Sequence, residues 1–112
     1  MNYISMEKVN KLAELIQKET FDRYMTSFPN ESLATPASRT KVIPGQKYVK
    51  VDVGSSGKYM IELSTGIIYG IKGYGVIHKG HSYGTLDTIN DYYWGEYTAF
   101  KKSETFRIRL SA

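Results

Sequence analysis

Tyr48-Val49-Lys50-Val51-Asp52-Val53-Gly54-Ser55-Ser56-Gly57-Lys58-Tyr59-Met60-Ile61-Glu62-Leu63-Ser64-Thr65-Gly66-Ile67-Ile68-Tyr69-Gly70-Ile71-Lys72 is the stretch that decides the fold. Its apolar residues recur every second position, the period of a half-buried strand. Val49, Val51 and Val53 alternate with Tyr48, Lys50 and Asp52. Tyr59, Ile61 and Leu63 alternate with Lys58, Met60 and Glu62, and Ile67, Tyr69 and Ile71 with Ile68, Gly70 and Lys72. Gly54-Ser55-Ser56-Gly57 and Ser64-Thr65-Gly66 are the turn signals between the three runs. The pattern predicts a three-stranded antiparallel meander with one apolar face.

The period upstream is 3.6. Val9, Leu12, Ala13, Ile16, Thr20, Tyr24 and Phe28 line one face of a helix predicted over residues 5–27. Ser5 is its expected N-cap, with Ile4 and Val9 spaced as a hydrophobic staple. Glu7–Lys11 and Glu14–Lys18 have the four-residue spacing of favourable ion pairs on the opposite face. Pro29 ends the helix. Residues 29–46 contain all three prolines and read as a loop into the sheet.

After Lys72 the alternation weakens. Residues 73–84 are too rich in glycine for a regular strand. Leu86 and Ile89 are candidate core anchors. Residues 90–100 read as a short strand or an aromatic loop, and Thr105–Leu110 alternates again as a closing strand. The fold class is therefore α+β, one long N-terminal helix packed on an antiparallel sheet of about four to five strands. At 112 residues the chain is a single domain, 1–112, with the sheet region from residue 47 onward.

Composition narrows the function classes. There are no cysteines, which removes disulfides, thiolate metal sites and a cysteine nucleophile. No apolar run reaches the ~18 residues of a membrane span, and the N-terminus has no apolar signal core. A cytoplasmic location is the expectation. The net charge of +4 is concentrated in residues 38–81, with seven basic and two acidic groups, so acidic partners are steered there. Ten tyrosines are present, and all but Tyr3 and Tyr24 lie between residues 48 and 97.

Candidate chemistry follows from these groups. Residues 73–84 resemble a glycine-rich phosphate cradle in composition, but no Walker-type spacing is present. Small-nucleotide binding by this loop is one reading. His78 and His81 are too few for zinc, and three residues apart on an extended strand they would point to opposite faces. No metal or other cofactor is expected. Ser82 beside His81, and the carboxylates Asp87 and Asp91, form no catalytic signature. A binding module rather than an enzyme is expected, with no catalytic residues.

The strongest constellation interleaves cations with rings. Lys47, Lys50, Lys72, Tyr74, His78, Lys79, His81 and Tyr83 are the candidate nucleic-acid or phosphate-binding residues. Lysines would track phosphates while tyrosines stack on bases. The alternative is a protein-interaction surface formed by Tyr92, Tyr93, Trp94 and Tyr97, residue types that anchor interfaces.

The run Gly57-Lys-Tyr-Met-Ile-Glu-Leu-Ser-Thr-Gly-Ile-Ile-Tyr-Gly, with the basic, glycine-containing stretch after it, resembles small uncharacterised proteins encoded by bacteriophages. Those similarly place a proline-rich loop before an aromatic hairpin. The resemblance spans about residues 46–84. It implies an accessory protein in the host cytoplasm, one that binds nucleic acid or inhibits a host or defence protein.

Overall fold

A computed structural model describes residues 6–96 and 99–102. The architecture is α+β. A long helix α1 (Met6–Ser27) and a short helix α2 (Glu31–Ser38) precede a sheet of five strands. These are β1 (Thr40–Pro44), β2 (Tyr48–Val53), β3 (Ser56–Glu62), β4 (Ile67–Gly73) and β5 (Val76–Thr85). They lie side by side in chain order, and every neighbouring pair is antiparallel. A 3₁₀ turn (Ile89–Asp91) leads to a separate two-stranded ribbon of β6 (Tyr92–Tyr93) and β7 (Phe100–Lys101). No helix among the described residues is long and apolar enough to cross a membrane.

The apolar stripe of α1 is buried through Val9, Leu12, Ala13 and Ile16. It packs on Val49, Val51, Tyr59, Ile61 and Ile68 from the sheet, and Leu86, Tyr92, Trp94 and Ala99 close the same core. The stripe does not continue to the end of the helix. Phe28 is 65% exposed and tilts against Tyr24. Glu7 pairs with Lys11 as expected, but Lys18 pairs with Asp22 instead of Glu14. Ser5, Ile4 and the segment Thr105–Leu110 lie outside the described residues.

Two elements occupy the stretch expected to be a loop. Asn30 caps α2: its Oδ1 accepts from the Ser32 N–H, and its carbonyl accepts from Leu33 and Ala34. Pro36 sits inside α2, where its missing donor removes a single bond from a two-turn helix. Tertiary contact outweighs that loss, because Ala34 and Ser38 are both buried. β1 then adds as an edge strand to β2, from Thr40↔Val53 to Pro44↔Val49. Thr40 ties it to α1 by donating to the Gln17 side chain and the Ala13 carbonyl.

The predicted phase of β2 holds, but that of β4 is reversed. Register places Ile61 opposite Ile68 and Met60 opposite Tyr69. Ile68 is therefore in the core and Tyr69 on the opposite face. Two adjacent isoleucines make either phase apolar, and cross-strand pairing decides between them. The glycine-rich segment is a strand after all, because bulges absorb its irregularity. Tyr69 and Gly70 are consecutive in β4 but pair with Ser82 and His78, so Lys79, Gly80 and His81 bulge out of β5. A smaller bulge inserts Lys58 in β3, between Val51↔Tyr59 and Asp52↔Gly57.

Candidate functional site

The sheet face away from α1 carries rows fixed by register. One runs Lys41, Asp52, Gly57, and the next runs Ile43, Lys50, Met60, Tyr69, Ser82. Tyr74, in the tight turn between β4 and β5, folds back over this face. Its hydroxyl donates to Asp52 Oδ2 at 3.3 Å, and Lys50 Nζ sits 4.9 Å from its ring centroid, within cation–π range. Gly57 makes the approach feasible, since a Cβ there would lie 2.7 Å from the Tyr74 ring. The ring remains 60% exposed. Desolvation, then the Asp52 charge and the hydrogen bond to it, push the Tyr74 hydroxyl up, so it stays protonated and donating. Lys47 Nζ lies 5.6 Å from the Tyr48 ring, a second cation–ring pair.

A different geometry occurs on the helix side. β3 and β4 pair only at Met60↔Tyr69 and Ile61↔Ile68, and beyond those pairs the strands part. A cleft of about 490 Å³ opens there, flanked by α1 and by Gly95–Glu96. Both bulges serve it: Lys58 from β3 and His81 from β5 line the cleft, together with Arg23 and Thr20 from α1 and the ring of Tyr83. Arg23 Nε pairs with Glu96 Oε2 at 2.7 Å. Burial, and next the Arg23 charge, hold the Lys58 ammonium below its ordinary value. Tyr83 is half-buried and meets Tyr59 edge-to-face at 5.5 Å. Desolvation pushes its hydroxyl up.

The eight candidate phosphate-binding residues therefore do not form one surface. Lys50 and Tyr74 share the outer face, and Lys47 and Tyr48 form a pair of their own. His81 and Tyr83 line the cleft, while Lys72 and Lys79 are exposed on β4 and β5. The bulge overturns the expectation that the two histidines point apart. Their ring centroids are 4.3 Å from each other, with His78 Nδ1 buried and without a hydrogen-bond partner among the described residues. Among the described residues no group of three metal-ligating side chains exists.

The aromatic stretch is mostly interior. Trp94 is 1% exposed, its indole N–H donates to the Ile89 carbonyl at 2.9 Å, and its backbone N–H donates to Glu19 Oε1 at 2.7 Å. Gly95 follows because a Cβ there would meet the Glu19 carbonyl oxygen at 2.6 Å. Tyr92 is also buried. Among the described residues of the stretch only Tyr93 presents an exposed ring, packed on Phe100 at 5.4 Å. Tyr97 lies outside the described residues. Trp94 thus anchors the core rather than a partner.

Comparison with protein-family models, curated proteins and solved structures gave no match. Arg23, Thr20 and Lys58 were not among the candidate site residues. Arg23 and Thr20 looked like ordinary helix positions, and Lys58 like an outward residue of a regular strand. Only the β3 bulge, which has no sequence signature here, brings Lys58 to the cleft.

Proposed function

We propose that the protein is a small non-enzymatic binding module whose outer sheet face takes single-stranded nucleic acid. The observation that carries this reading is the Tyr74 ring, held on the sheet by Asp52 and Gly57, 60% exposed and with Lys50 Nζ over it. A pre-positioned ring beside a cation is what a stacked base with its phosphate requires. Lys41, Lys47, Lys72 and Lys79 are exposed and add sequence-independent attraction for the backbone. The resemblance to phage-encoded accessory proteins fits this role and inhibition of a host protein alike. Burial of Trp94 weighs against the rival reading, inhibition of a host protein through the aromatic stretch.

The test is an amide-shift titration with short single- and double-stranded oligonucleotides at two salt concentrations. Salt-sensitive shifts at Lys50, Asp52 and Tyr74 are expected. Tyr74→Ala should weaken single-strand binding roughly tenfold, the scale of one lost stacked base. Lys50→Gln should reduce the salt slope by about 0.7. An unchanged affinity in both variants would overturn the assignment.

A further inference from the structure

We propose that the cleft where β3 and β4 part is a second, independent site, one that binds a mononucleotide: a phosphomonoester carrying a planar base. Two separate bulges and a helix converge on it. Bulges re-aim side chains, and they concentrate beside binding sites. Here the β3 bulge delivers Lys58, the β5 bulge delivers His81, and α1 delivers Arg23. Lys58, His81 and Arg23 thus line one concavity. Burial first, and then the Arg23 charge, depress the proton affinity of Lys58. A bound dianion opposes that depression.

The ion pair with Glu96 engages Arg23 at Nε and so fixes the guanidinium in the cleft wall. The remainder of the guanidinium is a planar fork that matches phosphate oxygens, and Lys58 is a point charge that complements it. Tyr83 supplies an aromatic wall, backed edge-to-face by Tyr59. Thr20 and Ser56 add hydroxyls. The volume of about 490 Å³ lies within the ~300–1,000 Å³ of small-molecule sites. Gly57 borders both sites, but neither Lys50 nor the Tyr74 ring is part of the cleft lining. The two sites can therefore fail separately.

The experiment is an amide-shift titration of the full chain with inorganic phosphate, adenosine and adenosine monophosphate. The monophosphate is expected to shift Thr20, Lys58, His81 and Tyr83. Phosphate should shift Lys58 and His81 more weakly, and adenosine should bind at least tenfold more weakly than the monophosphate. Arg23→Gln and Lys58→Gln should each raise the monophosphate Kd about tenfold, the scale of a lost charge-assisted contact. Lys58→Gln removes a charge the fold disfavours, so it should remain folded. Lys50→Gln should leave the Kd within about twofold, since its side chain lies outside the cleft. The proposal is overturned by silent cleft amides up to about 10 mM ligand, weaker than the millimolar end of specific binding. It is equally overturned by shifts confined to the Tyr74 face, or by a Kd unchanged in both cleft variants.

Discussion

Tyr59→Phe is the substitution whose consequences the structure fixes most closely. Tyr59 is 2% exposed, and its ring meets Tyr83 and Trp94 edge-to-face, each at 5.5 Å. Phenylalanine keeps both contacts. The hydroxyl is buried and lacks a hydrogen bond of good geometry among the described residues. Burial, then the Tyr83 charge, raise its proton affinity far above the ordinary tyrosine value, and the Ala99 backbone eases this only in part. A buried, unsatisfied hydroxyl costs about 1–3 kcal/mol. At pH 7 Tyr59→Phe should therefore be neutral to about 2 kcal/mol more stable than wild type.

The gap should widen with pH. Tyr59 titrates near pH 10 when unfolded but stays protonated well above that when folded. The unfolded chain thus releases its proton first, and the group's contribution to stability falls as pH rises past 10. At pH 11.5 the added loss in wild type is about 2 kcal/mol, from ~1.4 kcal/mol per pH unit beyond the unfolded value. Urea unfolding followed by Trp94 fluorescence at both pH values measures the difference. Lys58 and Tyr83 titrate in both proteins and cancel. A pH-independent gap, or a Tyr59→Phe variant that is less stable at pH 7 by more than about 1 kcal/mol, would refute the reasoning.

Further expectations follow from other sites. Lys58→Gln should stabilise the protein at neutral pH. The folded state depresses the ammonium's proton affinity, so wild-type stability should rise through the alkaline range and the gap close near pH 10.5. Paired melts at pH 7 and 10.5 check this. Gly84→Ala should cost about 2–4 kcal/mol, read as a lowered Tm. Its φ of +68° disfavours a side chain, and the added Cβ would strike Thr88 Oγ1 and the Tyr92 ring. Trp94 should emit at short wavelength and resist acrylamide quenching. Trp94→Phe should cost about 1–3 kcal/mol or more, since the Ile89 carbonyl then loses its donor.

The elements legible in the sequence are those where one period dominates. β2 alternates three valines with polar residues, and α1 repeats its apolar residues at helical spacing, so both faces were assigned correctly over most of their length. Legibility failed where two signals competed. Pro36 masked α2, although Asn30-Glu31 before it is an N-terminal helix signal. Ile67-Ile68 left the phase of β4 undecided until pairing with Ile61 settled it. The glycines of β5 mark bulges rather than a loop, and the bulges determine which residues gather. Tyr74 is an exposed ring, an orientation the sequence leaves open. Its grouping with Tyr83 was not correct, because the strand irregularities send the two to opposite faces.

The links between α1 and the C-terminal ribbon have a consequence for how the chain comes together in time. Each strand of the sheet pairs with its neighbour in sequence, so the hairpins close short loops and form early. The Glu19–Trp94 bond joins residues 75 apart, and Lys8–Asp87 residues 79 apart. Closing such loops costs several kcal/mol of chain entropy, about (3/2)RT ln n plus a constant. During synthesis α1 emerges before the sheet, yet its apolar stripe lacks the indole that completes its cover until Trp94 has left the ribosome. We expect docking of this ribbon to be the last step of folding and the first of unfolding. Glu19→Gln should then speed unfolding while leaving the folding rate unchanged, and Trp94 fluorescence would report both limbs directly.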